Sequence, residues 1–231
     1  MTRTLRILSG GAAQGLVSRL QPAFEKKHDC VIEGSFGAVG AMRDKLLGGA
    51  PCDLLILTQA LIEELAAQAR ADAATVQPVG LVQTGVALKE KRAPVTIRSP
   101  EDLKALLQAA PAIYFPDPAK ATAGIHFLKV LQALGLADDA QRLKTYPNGA
   151  TAMAALAQSA ERDAVGCTQV TEILITPGVR LTGLLPPPHQ LVTTYTAAVA
   201  AAAQEPELAL ALIDALTADS ASEVRGRCGF E

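Results

Sequence analysis

Four segments of the chain place small residues where an apolar run gives way to a helical pattern: Ser9–Gln14, Ser35–Gly40, Lys120–Gly124 and Asn148–Thr151. At a helix start the first backbone N–H groups lack intrahelical partners and the helix dipole is positive, so such a turn attracts an anion. Short side chains let a ligand reach that backbone. The candidate binding residues are therefore Ser9, Gly10, Gly11 and Ala12 in the first turn and Ser35, Gly37, Ala38 and Val39 in the second. Thr122, Ala123 and Gly124 follow in the third, and Asn148, Ala150 and Thr151 in the fourth. Tight packing alone would also select Gly and Ala at any one of these turns, but four of the same kind favour a site.

Other chemistries lack their residues. Gly34, Gly37 and Gly40 are spaced G-x-x-G-x-x-G rather than G-x-G-x-x-G, and no G-x-x-x-x-G-K-[ST] loop occurs, which disfavours nucleotide binding. No serine lies in a G-x-S-x-G elbow, and His28, His126 and His189 are too dispersed to suggest a metal. Neither a metal nor a cofactor is expected. His126 sits just after Ala123-Gly124, in the first turn of a helix, where an imidazole could donate to a ligand or act as a general base. It is the one candidate catalytic residue if the chain is an enzyme; the alternative is an ordinary surface or interlobe histidine. Lys120 and Arg43 flank two of the turns and could neutralise a carboxylate, although most such residues are simply solvated.

The bulk properties fit a local rather than a global charge recognition. The 231 residues carry 21 basic and 23 acidic side chains, a formal charge of −2, with no basic cluster suited to nucleic acid. Hydrophobic residues make up 49% and charged ones 19%, which excludes disordered, collagen-like and coiled-coil classes. No run reaches the ~18 apolar residues of a membrane span, so no membrane insertion is expected. The opening Met1-Thr2-Arg3-Thr4 lacks the apolar core of a secretory signal, so the sequence as written reads as cytoplasmic, or as periplasmic if a signal peptide was removed. Cys30, Cys52, Cys167 and Cys228 are scattered and read as small buried apolar residues.

The elements that must position the turns alternate as βα units. Strand-like runs at Leu5–Leu8, Cys30–Glu33 and Asp53–Leu57 each precede a helical pattern, and the unbroken Leu/Ile run of the third fits a strand covered on both faces. Leu81–Leu88 reads as a long strand, followed by a surface loop at Lys89–Pro100 and a helix at Glu101–Gln108. Ala112–Phe115 and Val165–Thr168 read as strands, with a helix from Gly124 between them. A second long strand, Leu191–Val199, precedes helices at Pro206–Thr217 and Ala218–Arg227. The expectation is an α/β fold in two lobes, 1–80 with 192–231 and an inserted 81–191, joined by two crossing strands that act as a hinge.

Taken together these segments resemble the substrate-binding component of molybdate-type ABC transporters. The similarity runs through nearly the whole chain: Ser9–Leu20 is similar to the family's opening, and Gly48-Gly49-Ala50-Pro51-Cys52-Asp53-Leu54-Leu55-Ile56 to its G-A-P-A-D-L-F-I signature. Asp117-Pro118 with Ala123-Gly124 resembles the D-P…A-G segment, and Arg227-Cys228-Gly229-Phe230 the closing Y-G-F. The resemblance implies a two-lobed periplasmic-binding fold of type II, closure on a small anion between the lobes, and an ABC permease as partner. In that family serine hydroxyls of two turns and a tyrosine hold the oxyanion; the corresponding positions here are Ala12, Ala38-Val39-Gly40 and Gln169. Each lost charge-assisted hydrogen bond removes about 1.5–3 kcal/mol, which points away from molybdate and towards an organic carboxylate. Ser9, Gln14, Ser35, Thr122, Asn148, Thr151 and Gln169 offer a polar set of a different kind. Aconitate isomerase resembles the same family, so an isomerase that shifts a proton on an aconitate-like acid, with His126 as base, is the alternative function.

Overall fold

The computed structural model describes residues 2–231. These divide into two compact units: unit 1 is the chain up to Val82 with Thr193–Glu231, and unit 2 is Gln83–Val192.

In unit 1 the expected βα alternation forms β1 (Arg3–Gly10), α1 (Gln14–His28), β2 (Cys30–Gly37), α2 (Val39–Leu47), β3 (Leu54–Thr58) and α3 (Gln59–Ala67). β1 pairs in parallel with β2 on one side and β3 on the other. The long β4 (Gln77–Lys89) begins in this unit. Leu54, Leu55, Ile56 and Leu57 are all fully buried, as a strand covered on both faces requires. α1 packs Leu16, Val17 and Phe24 inward at helical spacing and ends on Asp29, whose φ of 48° is the left-handed residue that closes the helix.

Unit 2 continues from β4 with α4 (Pro100–Ala109), β5 (Ile113–Pro116), α5 (Thr122–Leu134), β6 (Leu143–Tyr146) and α6 (Gly149–Gln158). It ends with β7 (Val165–Gln169), the short α7 (Val170–Leu174) and β8 (Val179–Leu184). Its strand order is β4, β7, β5, β6, with β8 also on β4. Side chains alternate across this sheet. Val86, Leu88, Ile113, Phe115, Val165 and Cys167 form one core with α4 and α5, whereas Ala87 and Tyr114 pack with α6 on the other face. α4 starts where Ser99 and Asp102 close a reciprocal capping box ahead of Pro100.

The chain returns to unit 1 through β9 (Val192–Val199), then α8 (Pro206–Thr217) and α9 (Ser222–Arg227). β9 runs antiparallel to β3, so Val199 lies opposite Leu54 at the amino end of β3. The buried carboxylate of Asp53 sits at this place. It accepts Arg6 N–H at 2.8 Å, Gln204 N–H at 2.7 Å and Glu205 N–H at 3.0 Å, joining β1 to the start of α8. The four cysteines are buried thiols without disulfides. Among the described residues, no helix is long and apolar enough to cross a membrane.

Replacing Asp53 by Ala strips three N–H groups of a buried acceptor. We expect a loss of about 3 kcal/mol in unfolding free energy, read as a lower denaturant midpoint at unchanged slope, with a smaller loss for Asp53→Asn.

Candidate functional site

Each unit gathers helix starts at the carboxyl edge of its own parallel strands. In unit 1 the β1–β2 ladder ends with Gly10 opposite Gly37, and Ser9 on β1 lies opposite Ile56 on β3. The 3-10 turn Gly11–Ala13 leading into α1, the start of α2 after Ala38, and the start of α3 after Thr58 therefore lie along one edge. At none of these starts does the N-cap residue supply a side-chain hydrogen bond. Ala12, Ala38 and Val39 are buried there.

Two side chains of the first turns differ from their sequence reading. Ser9 is buried and its hydroxyl donates to the Gly10 carbonyl at 2.9 Å, so that proton is already committed. Ser35 lies inside β2, opposite Leu8, because the parallel ladder runs on to Gly37 instead of ending at Glu33. A Cβ at Gly10 would stand 2.8 Å from both Tyr195 Cε1 and Val39 Cγ1. Glycine there lets the Tyr195 ring and α2 close over the turn. Tyr195 on β9 lies opposite Thr58 on β3, so Thr58, Gln59 and Tyr195 belong to this edge although the sequence reading passed over them. Thr58-Gln59 follows its strand as directly as the other turns do, but a search for small residues does not find it.

In unit 2, Pro116 lies opposite Tyr146 in the parallel β5–β6 pair, and β7 runs parallel to β5 on the other side. Asp117 shapes the loop that leads to α5: its Oδ1 accepts Ala119 N–H at 2.6 Å and Lys120 N–H at 3.2 Å. α5 then starts at Thr122, with no side-chain bond from its N-cap Ala121. A Cβ on Gly124 would overlap the carbonyl oxygens of Pro116 and Asp117, so this glycine is fixed by the packing of the loop on the helix.

The start of α6 is filled from within. Asn148 and Thr151 form a capping box, with Thr151 N–H on Asn148 Oδ1 at 2.9 Å and Asn148 N–H on Thr151 Oγ1 at 3.3 Å. The Glu172 carboxylate lies against this start and pairs with the Thr168 hydroxyl at 2.6 Å. Gly149 has no room for a side chain, since a Cβ would overlap that carboxylate and hydroxyl. Gln169, buried at the end of β7, is the N-cap of α7, where Glu172 is the third residue. Its place in the first turn of α7 brings Glu172, a residue the sequence reading missed, back against the Thr168 hydroxyl.

His126 falls in the second turn of α5, because the helix starts two residues earlier than Gly124. Its Nε2 lies 2.7 Å from the His189 carbonyl oxygen. A carbonyl only accepts, so Nε2 carries a proton and a neutral ring keeps its lone pair on Nδ1. Arg43 is engaged in an ion pair with Asp44 at 3.1 Å.

The family model described as bacterial extracellular solute-binding protein matches residues 5–231, and the chain belongs to that family. Its fold is shared with the periplasmic molybdate-binding protein of Azotobacter vinelandii, at a TM-score of 0.82 and 18% identity over 98% of each chain. The sulfate-binding protein SubI of Mycobacterium tuberculosis matches with a TM-score of 0.78 and 17% identity, covering 99% of this chain and 86% of the other. By sequence, the chain is 24% identical to an aconitate isomerase from a Pseudomonas species over 225 residues, 95% of this chain and 84% of that protein.

Glu172 supplies a pH test of these contacts. Burial pushes its carboxyl above the ordinary range, against the pull of the Thr168 hydroxyl and the three backbone N–H groups. A raised folded value means that its contribution to stability is complete below the unfolded value of about 4.3 and is lost as pH rises through the folded one. The unfolding free energy of wild type minus that of Glu172→Gln is therefore expected to fall as pH rises above about 4.3 in urea titrations. A difference that rises instead would show that the donors outweigh burial.

Proposed function

We propose that this chain is a non-enzymatic solute-binding protein that closes on one small anion, holds it by helix N-termini and backbone donors, and delivers it to an ABC-type permease. The observation that carries this reading is the set of helix starts without N-cap side-chain bonds at α1, α2, α3 and α5, on the carboxyl edges where open α/β sheets hold ligands. Backbone donors at Gly11, Ala12, Val39, Thr122 and Ala123 would meet the anion. Ser35, Gly37, Gly124, Asn148, Ala150, Thr151 and Gln169 complete the proposed surroundings, several of them as supports for the turns and not as direct ligands.

Within that reading the ligand is an organic carboxylate. Alanines at positions 12 and 38 carry no hydroxyl, and the Ser9 proton is held by Gly10, so hydroxyl donors for a compact tetrahedral dianion are scarce. The sequence relative acts on a tricarboxylate, whereas the molybdate and sulfate binders are related through fold alone.

An isomerase on the same scaffold is the second reading, favoured by the similarity to aconitate isomerase along 95% of the chain and by the Nδ1 lone pair of His126. A 1,3 proton shift needs such a base beside a carbon acid and donors for the developing enolate, and helix starts supply the latter.

A thermal-shift screen of di- and tricarboxylates, sulfate and molybdate separates these classes. A carboxylate at 100 times its dissociation constant should stabilise the fold by about 2.7 kcal/mol, with little effect from molybdate; strong stabilisation by molybdate alone would overturn the carboxylate assignment. Incubating the stabilising acid in deuterated water and following it by NMR should show no exchange for a binder. Exchange that His126→Ala abolishes would establish the isomerase instead.

A further inference from the structure

The turn that follows β4 and the connection from α6 to β7 meet at the amino edge of the unit 2 strands, the edge opposite the starts of α5 and α6. Leu88 lies opposite Val165 at the start of β7, and Lys89 opposite Val179 at the start of β8. Between the two segments is a cavity of about 380 Å³ lined by Lys89, Lys91, Arg92, Ala160 and Arg162. Every lining residue except the alanine is a cation, in a chain whose formal charge is −2. Gathering like charges around one space costs free energy that an anion in the space would offset.

The surrounding hydrogen bonds hold this arrangement in place. Glu90 N–H donates to the Gly178 carbonyl at 2.9 Å and Arg92 N–H to the Lys89 carbonyl at 3.0 Å, which ties the turn to the start of β8. Lys89 Nζ donates to the Ser159 carbonyl, Arg92 Nη1 to the Asp163 carbonyl at 2.9 Å, and the Arg180 guanidinium to the Arg92 carbonyl. Carbonyl partners orient these side chains without cancelling their charge. The acidic residues of the same two segments do not line the cavity. Glu161 takes the Tyr114 hydroxyl at 3.3 Å, and Glu90 is exposed. Asp163 stands 3.4 Å from Arg92 Nε with its side chain 61% exposed, a pairing too solvated to neutralise the group.

We propose that this cavity is a second anion site, separate from the helix starts, and that it takes a small solute bearing linked phosphate groups. The guanidinium forks of Arg92 and Arg162 match phosphate oxygens in pairs, while Lys89 and Lys91 add point charges. Linked phosphates spread several charges over a short length, so more than two of the cations can engage at once.

Calorimetric titration with pyrophosphate, in wild type and in a Lys91→Gln/Arg162→Gln double variant, tests the site. Both replaced residues are exposed, so the fold is retained. Wild type is expected to bind pyrophosphate, and the double variant to bind it at least about tenfold more weakly. Equal affinity in the two proteins puts pyrophosphate elsewhere and overturns the site, as does wild type that fails to bind it. Parallel titrations with citrate check the ligand class: citrate binding wild type more tightly than pyrophosphate, and losing as much in the double variant, overturns the phosphate assignment. Sedimentation with phosphatidylglycerol vesicles checks the source, since capture of wild type but not of the variant, without pyrophosphate binding, overturns a soluble ligand.

Discussion

The constraint on which both units depend is that every helix start leaves backbone N–H groups to be satisfied, and that a parallel sheet places many of those starts along one edge. The chain answers it unevenly. α4 is closed by Ser99 and Asp102, the start of α8 by Asp53, and α6 by Asn148 and Thr151. At α1, α2, α3 and α5 the N-cap side chain makes no such bond. Asp53 shows why the difference is informative. Because β9 runs antiparallel, α8 begins at the opposite, amino edge of β3, and that start is filled by a buried carboxylate from the chain itself. At the carboxyl edges the starts of α1, α2, α3 and α5 have no N-cap side-chain bond, while α6 at the same kind of edge is closed by its own capping box.

The glycines at these turns have a more mixed role than open backbone access. Gly10 admits Tyr195 and Val39, Gly124 admits the Pro116 and Asp117 carbonyls, and Gly149 admits the Glu172 carboxylate. In each case the missing side chain is replaced by the protein's own atoms. Close packing and ligand access are not competing explanations here, since a helix start can face a ligand only when strand, loop and helix meet without an intervening Cβ.

Much of the fold was legible because its strands are strongly apolar and its units repeat. Leu5–Leu8 and Asp53–Leu57 lie within β1 and β3 or extend by a residue, and the Phe127, Val130, Leu131 and Leu134 spacing identified α5. β6 and β8 escaped notice for a physical reason: each has most of its residues partly exposed, so neither Leu143–Tyr146 nor Val179–Leu184 carries a buried-strand pattern. The end of β2 was misplaced because Gly34 and Ser35 read as a turn, while ladder bonds to β1 hold them extended. Site residues divide along the same line. Turns marked by Gly and Ala were visible, whereas Thr58, Gln59 and Tyr195 come to the edge through strand pairing that no local signal encodes.

Backbone donors recognise charge and approach more than identity, so a chain that lacks hydroxyls at positions 12 and 38 must draw selectivity from elsewhere. The side chains around each edge differ in what they offer. In unit 1 Tyr195 and Gln59 bring shape and polarity beside the helix starts, whereas in unit 2 the Glu172 side chain fills the space that Gly149 leaves at the start of α6.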